Sequence, residues 1–446
     1  MTNSESSAHR SPMQEEMRAA ARTIFDRALQ ECSIPRAFSR ELSYTAGLLS
    51  VSGQRYELPA ESPAIVVSVG KAGDTMAHAL AQIIASQLTG IVSCPTAPEN
   101  PVPGLRYFIG GHPMPNDDSL RAGKAILELL HGLTETALVL FCISGGASAI
   151  VEWPLNEDLT LSDIVATNRA LVLSGAPIAE INAIRKHLSA IKGGRAARAA
   201  FPARQVSLLV SDVPDHALDA LASGPTMPDT STVADCYAIV DRYGIVTQLS
   251  QPVREIFECR ALEETPKSGD PAFSHSQFVP LLSNRTAVAA AAEKAKAMGF
   301  DVTIDNTCDD WDYAHAVDYL LAKLRDLRKP GARRCLISGG EVTVRVSGNS
   351  GIGGRNQQFA LYCATKIAGE PITVLSAGTD GIDGNSPAAG ALVDGSTIAH
   401  AASAGMDQNR ALADFNAFPL FDKVDDSIVT GPTGNNVRDL RILLAY

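Results

Sequence analysis

The stretch AIVVSVGKAGDTMAHAL, Ala64 to Leu80, changes period halfway along. Ala64 to Val69 is a continuous apolar run of strand length, with no polar alternation, which reads as a strand buried on both faces. Gly70 and Gly73 bracket a turn, and from Thr75 the apolar positions recur at helical spacing, predicting a helix to Leu88. A buried strand, a glycine turn and a helix make the repeating unit of a parallel α/β sheet.

Working outward, the same unit recurs. Helices are expected over Met13 to Cys32, Asp117 to Leu130, Leu161 to Ser174 and Ile178 to Ala200, and strands over Ala137 to Ile143 and Val206 to Ser211. Periodicity weakens between Gln248 and Ser276, which sets the expected domain junction there. Beyond it come the strand Phe278 to Leu282, the helix Thr286 to Met298 and the strand Asp301 to Ile304, then the helix Ala314 to Arg328. A hairpin-like pair (Cys335 to Ile337 and Val342 to Val346), a helix over Gln357 to Ile367 and a strand over Ile372 to Leu375 complete the reading. The expected organisation is a disordered tail at 1–12, a mainly parallel α/β domain at 13–260 and a smaller α/β domain at 275–446.

Composition limits the partners. The chain has 446 residues, of which 45% are hydrophobic, enough for two cores. A net charge of -11 removes the main source of affinity for a phosphate backbone, so nucleic acid is not an expected partner. The eight cysteines show no CxxC or metal-finger spacing and read as reduced core residues. The opening MTNSESSAHRSP lacks an apolar signal region, and no run approaches a membrane-spanning length, so a cytoplasmic protein without membrane contact is expected.

Five glycine-rich regions are built to bring backbone close to a ligand: SVGKAGD (68–74), ISGGASA (143–149), SDVPDHALDALASGPT (211–226), GNSGIGGRNQ (348–357) with SAGTDGIDGNS (376–386), and GPTGNN (431–436). Without a Cβ, successive N–H groups can converge on phosphate oxygens, although any one such turn can equally be a plain strand-to-helix connection. FCISGGASA (141–149) and CLISGGEVT (335–343) both run an apolar strand into Ser-Gly-Gly.

Ionisable residues sit at the strand ends. Lys71 directly follows a buried strand, and Arg355 lies in a loop with four glycines, where a guanidinium could fork onto a carboxylate or phosphate. Asp212 and Asp380 end or follow strands, positions that suit Mg²⁺ ligation or acceptance of a hydroxyl proton; Asp383 is as consistent with a local cap. His112 reads as structural. Arg185, Lys186, Lys192 and Arg195 gather around His187, either as a solvated helix face or as help with nucleotide phosphates. Neither GxxxxGK[ST] nor a strand-borne GxGxxG with its acidic partner occurs, so a P-loop and a dinucleotide fingerprint are both missing.

Taken together, SVGKAGD, GGHPMPNDDSLRAG, ISGGASAIVEWP, INAIRKHLSAIKGGRAA, SDVPDHALDALASGPT, LISGGEVTVRVSGNSGIGGRNQQFAL, SAGTDGIDGNSPAAGALVDG and TGPTGNNVRDL closely resemble the class II glycerate 2-kinases. That family carries a C-terminal MOFRL domain, and some members bear the name hydroxypyruvate reductase. The resemblance implies a Rossmann-like N-terminal domain, a smaller C-terminal α/β domain and an active site in the cleft between them. It further implies transfer of the ATP γ-phosphoryl to the 2-hydroxyl of D-glycerate with Mg²⁺; a monomer or homodimer is expected.

Carried onto matching positions, Lys71 and Arg355 are the expected catalytic cations, and Asp212 and Asp380 the expected carboxylates for base or metal duty. Ser144, Gly145, Gly146 and Ser148, with Lys192, Gly431, Thr433 and Asn435, are expected to hold ATP. Ala147 stands where the family usually has glycine, and Asp215-His216 where it commonly has Gly-Asp, which bears on substrate fit. An NAD(P)H-dependent hydroxypyruvate reductase and a non-catalytic small-acid binder are the alternatives.

Overall fold

The structure, a computed structural model, describes residues 10–58, 63–84, 88–156, 158–329, 331–346, 348 and 350–446, without the side chain of residue 215. The chain divides into two compact units, one of Ile34–Leu281 and one joining Met1–Ser33 to Leu282–Tyr446.

The first unit opens on a helix, Ile34–Glu41, followed by a small antiparallel sheet of β1 (Leu42–Thr45), β2 (Leu48–Val51) and β3 (Gln54–Glu57), which sequence periodicity does not announce. Its main sheet uses β4 (Ala64–Val69), β5 (Leu88–Cys94), β6 (Leu105–Ile109), β7 (Leu138–Ser144), β8 (Arg204–Val210) and β9 (Ser276–Leu282), in the order β6-β5-β4-β7-β8-β9. The pairs β4–β5, β4–β7, β5–β6 and β7–β8 are all parallel. Every residue of β4 and β7 is buried, as parallel strands covered on both faces require. Val67, Val69, Phe141, Ile143, Ile126 and Ile191 fill one core, and Leu171, Ile184, Ile239, Val240 and Phe257 form a separate helical core.

Several boundaries differ from expectation. The helix after β4 is Gly73–Ile84, and Leu88 opens β5 instead of ending that helix. The helix expected over Ile178 to Ala200 is two helices, Ile178–Leu188 and Arg195–Ala200, split where Gly193 and Gly194 take φ of +57° and +82°.

The second unit holds a mixed sheet of β10 (Asp301–Ile304), β11 (Arg334–Gly339), β12 (Ile372–Gly378), β13 (Gly390–Asp394), β14 (Ser427–Ile428) and β15 (Asp439–Ala445), ordered β10-β11-β15-β12-β13-β14. Only β10–β11 is a parallel pair; β15 runs antiparallel between β11 and β12, so this sheet is not a second copy of the first. Val342 to Val346 does not pair with β11 as a hairpin: Thr343 makes one isolated bridge to Asp312.

The opening helix, Pro12–Glu31, belongs here and not to the domain that follows it in sequence. Its Met17, Ile24 and Phe25 pack with Ile337, Leu375, Ile442 and Leu444 on one face of the sheet, while Leu320, Phe359, Phe421 and Leu443 fill the other. Arg18 fixes the helix by donating from Nη1 to Asp394 (2.9 Å) and from Nη2 to Asp426 (2.6 Å), both buried. Arg10 joins the same carboxylates, and Ser11 caps the helix, so the expected tail 1–12 is already ordered from residue 10; residues 1–9 lie outside the described residues.

Candidate active site

In the 34–281 unit, the carboxyl ends of β4, β7 and β8 meet at one glycine turn. Gly70, at φ +114°, lies so close to Ser144 that a Cβ there would sit 2.3 Å from its Oγ. The N–H of Lys71 donates to the Gly145 carbonyl (2.9 Å), and that of Ala72 to Ser144 Oγ (3.0 Å). Asp212, just past β8, presses its carboxylate on Gly145, where an added Cβ would fall 1.9 Å from Oδ2. Gly146, at φ +81°, faces the Lys71 side chain and the His112 imidazole, which a Cβ would meet at 3.1 and 3.0 Å.

Thus Lys71, Asp212 and the Ser144–Gly146 turn converge. His112, read as structural from sequence, belongs with them. Partial burial, and secondarily the Lys71 ammonium, hold its imidazole below its ordinary pKa. Ser148 bonds the hydroxyl of Ser223 (2.9 Å), which donates to Asn182 Oδ1 (3.3 Å). This ties the turn to the loop after β8.

Lys192 departs from expectation. Its side chain is buried and its ammonium donates to the buried carboxylate of Glu152, whose other oxygen accepts from Ser189 Oγ (2.6 Å). Burial holds Lys192 below its ordinary pKa despite that partner. A charge so enclosed is already paired within the fold. The rest of the basic patch is likewise taken up internally. Lys186 pairs with Asp229 (3.0 Å) and Asp219 (3.3 Å), Arg185 donates to Asn168 (2.8 Å), and buried His187 sits between the Ala183 carbonyl (2.8 Å) and Glu264 (2.9 Å).

In the other unit, the ends of β11 and β12 and the start of β15 carry a second constellation. Arg355 opens the helix Arg355–Lys366 and forks onto Asp439, with Nε 2.6 Å from Oδ2 and Nη2 3.0 Å from Oδ1. Nη2 also lies 2.7 Å from Glu341 Oε1. Burial opposes the charge, but these carboxylates outweigh it and hold the guanidinium above its ordinary pKa. Asp380 follows β12 and accepts from the Ile382 N–H (3.1 Å). It stands beside Asp439 at Gly378, where a Cβ would lie 3.0 Å from Asp380 Oδ1 and 3.5 Å from Asp439 Oδ1. Arg438 forks onto Asp309 through two 2.6 Å contacts.

Asp383 resolves as a cap. It is buried and accepts from the N–H groups of Asn356 (3.0 Å) and Gln357 (2.8 Å), the first turn of the helix that Arg355 opens. Thr433 reaches Asp380 through its N–H to the Asp380 carbonyl (3.1 Å), and Gly431 crosses Gly381, where a Cβ would lie 2.0 Å from the Gly431 carbonyl. Asn435 donates its amide to the Cys32 carbonyl, anchoring the opening segment, while among the described residues its Oδ1 has no hydrogen-bond partner.

Sequence reading missed Glu341, Asp439 and Arg438. Glu341 carried a signal, since it ends the SGGE run that parallels SGGA after β7. Asp439 and Arg438 lie at the mouth of an unread strand. Among the described residues no three His, Cys, Asp or Glu side chains gather as a ready metal site. Mg²⁺ is commonly held by one or two carboxylates with substrate phosphates, so Asp212 or Asp380, each at a glycine-cleared strand end, fits that donor chemistry.

Residues 20–258 match a family described as a domain of unknown function (DUF4147), and residues 334–439 match the MOFRL family. A D-glycerate 2-kinase from Thermotoga maritima is 40% identical over 389 residues, covering 85% of this chain and 89% of the relative. The chain belongs to the MOFRL-domain glycerate 2-kinase family. A crystal structure of a glycerate kinase from Thermotoga maritima superposes with a TM-score of 0.84 at 35% identity, covering 97% of this chain and all of that one. A relative from Agrobacterium vitis, 37% identical over 85% of this chain and 86% of its own, bears the name of a hydroxypyruvate reductase.

Proposed function

We propose that this protein is a D-glycerate 2-kinase that transfers the ATP γ-phosphoryl to the substrate 2-hydroxyl, yielding 2-phosphoglycerate and ADP. The observation that carries the reading is the Arg355–Asp439 fork at the mouth of β15, in a chain 40% identical to a D-glycerate 2-kinase. Phosphoryl transfer asks a protein chiefly to position groups and neutralise charge, and a pre-oriented guanidinium does both.

Lys71 and Arg355 hold the glycerate carboxylate and the migrating phosphoryl. Asp212 and Asp380 share two tasks, accepting the hydroxyl proton and ligating Mg²⁺, which when bound would neutralise phosphate charge. The Ser144–Ser148 turn and the Gly431–Thr433 loop hold phosphate oxygens through backbone N–H groups, without Lys192 and Asn435. His112, held below its ordinary pKa beside Lys71, offers a neutral ring nitrogen that can accept a hydrogen bond there.

Among the described residues no helix is long and apolar enough to cross a membrane. A cytoplasmic monomer or homodimer remains part of the proposal.

One assay tests it: purified protein with D-glycerate, ATP and Mg²⁺, followed for ADP, alongside hydroxypyruvate with NADH or NADPH. Glycerate-dependent ADP release is expected. Nicotinamide oxidation without it would favour the activity that the Agrobacterium vitis relative is named for.

A further inference from the structure

We infer that Arg441 is a positioning residue for the reaction, holding from behind the Asp439 carboxylate and the turn that presents Glu341, the two groups that orient Arg355. This rests on the role proposed for Arg355.

Arg441 lies on β15, opposite Ser338 of β11 and Ser376 of β12, and is fully buried. Its guanidinium carbon sits 5.2 Å from the centre of the Phe359 ring, and Nη2 donates to the Gly340 carbonyl (3.1 Å). Among the described residues, Nε and Nη1 have no hydrogen-bond partner. Such a group is costly to bury, and an apolar side chain of similar volume at such a position is often neutral or stabilising. Fold stability is therefore a poor account of it.

What arginine supplies, and leucine or methionine cannot, is directed at two neighbours of Arg355. Nη2 stands 3.8 Å from Asp439 Oδ2, the oxygen that accepts from Arg355 Nε. In a buried setting that attraction is weakly screened. The Gly340 carbonyl belongs to a turn at φ +94° that presents Glu341, the second carboxylate on Arg355. Asp439 and Glu341 grip Arg355 from two sides, and Arg441 restrains both the Asp439 carboxylate and the backbone leading to Glu341.

The test is a double-mutant cycle on full-length protein, measuring kcat and KM for glycerate and ATP, with thermal unfolding, for Arg441→Met, Arg441→Lys, Arg355→Lys and the doubles. Arg441→Met is expected to melt close to or above the parent, and to lower by about 10-fold or more the same kinetic parameter that Arg355→Lys lowers. Arg441→Lys should recover part of the loss, and the double variant should lose less than the product of the singles. Parental kinetics in Arg441→Met, or losses that multiply independently, overturn the inference while leaving Arg355 in place. Parental kinetics in Arg355→Lys would remove the proposed site itself. Where Arg441→Met fails to fold, the cycle with Arg441→Lys decides on the same criterion.

Discussion

Arg355 and Asp439 form a two-pronged ion pair in which the guanidinium is partly open and the carboxylate is almost wholly enclosed, at 37% and 1% side-chain exposure. The cation is thereby aimed from within the fold, with Asp439 fixing its plane.

Asp439→Ala should therefore affect both stability and rate. Removing one partner of a buried pair leaves Arg355 and Arg441 without their shared counter-charge, at a cost of ~3 kcal/mol. Denaturant unfolding reads this directly, and a loss below about 1 kcal/mol would show that the pair is not enclosed as described.

Lys71→Ala should separate function from stability. The side chain is exposed past the end of β4, so the unfolding midpoint should barely move, while kcat falls by at least ~10²-fold. Near-parental turnover would take Lys71 out of the mechanism.

Gly145→Ala tests the close approach of Asp212. The new methyl would lie 1.9 Å from Oδ2, forcing the carboxylate or the turn to shift. Activity should drop by ~10²-fold, a loss typical of a displaced catalytic group. An alanine variant with parental kcat and KM would show that Asp212 can move without consequence.

Lys192→Met checks the interior role of that lysine. Glu152 would be left buried and unpaired, costing ~3–5 kcal/mol, whereas Lys192→Met with Glu152→Leu should regain most of the loss. Turnover per folded molecule of the double variant should stay within about threefold of the parent, since surface-remote, well-packed replacements act through stability. A selective rise in the KM for ATP would return Lys192 to the nucleotide site.

Asp383 should leave a signature in pH-dependent stability. Burial pushes its carboxyl up to about 6, against the opposing N–H groups of Asn356 and Gln357. Because the folded state then holds this proton more tightly than the unfolded chain, the residue's contribution is full below the ordinary carboxylate range. It declines as pH rises through about 6, by up to ~3 kcal/mol. Subtracting the stability of Asp383→Asn from that of the parent isolates this term. A difference that stays flat between pH 4 and pH 6.5 would mean the carboxylate is ionised throughout.

The strand-end placement of two ionisable residues was legible before any fold was known. Lys71 and Asp212 could be placed because each ends or follows an apolar run long enough to be a buried parallel strand, and side chains just past such runs emerge at the ligand face. The partner of Lys192 was not legible, because periodicity carried one helix through Gly193 and Gly194. The broken helix turns the lysine inward onto Glu152, 40 residues earlier.

By itself, then, the sequence determined the α/β class, the glycine turns and the family, since these follow from local period, local φ preference and ordered motifs. Tertiary structure alone decided that Pro12–Glu31 packs with the C-terminal segment, and that Asp383 caps a helix. It also placed Asp439, Glu341 and Arg441 around Arg355. The physical reason is distance along the chain: partners separated by tens to hundreds of residues are selected by burial and charge pairing, which no local pattern encodes.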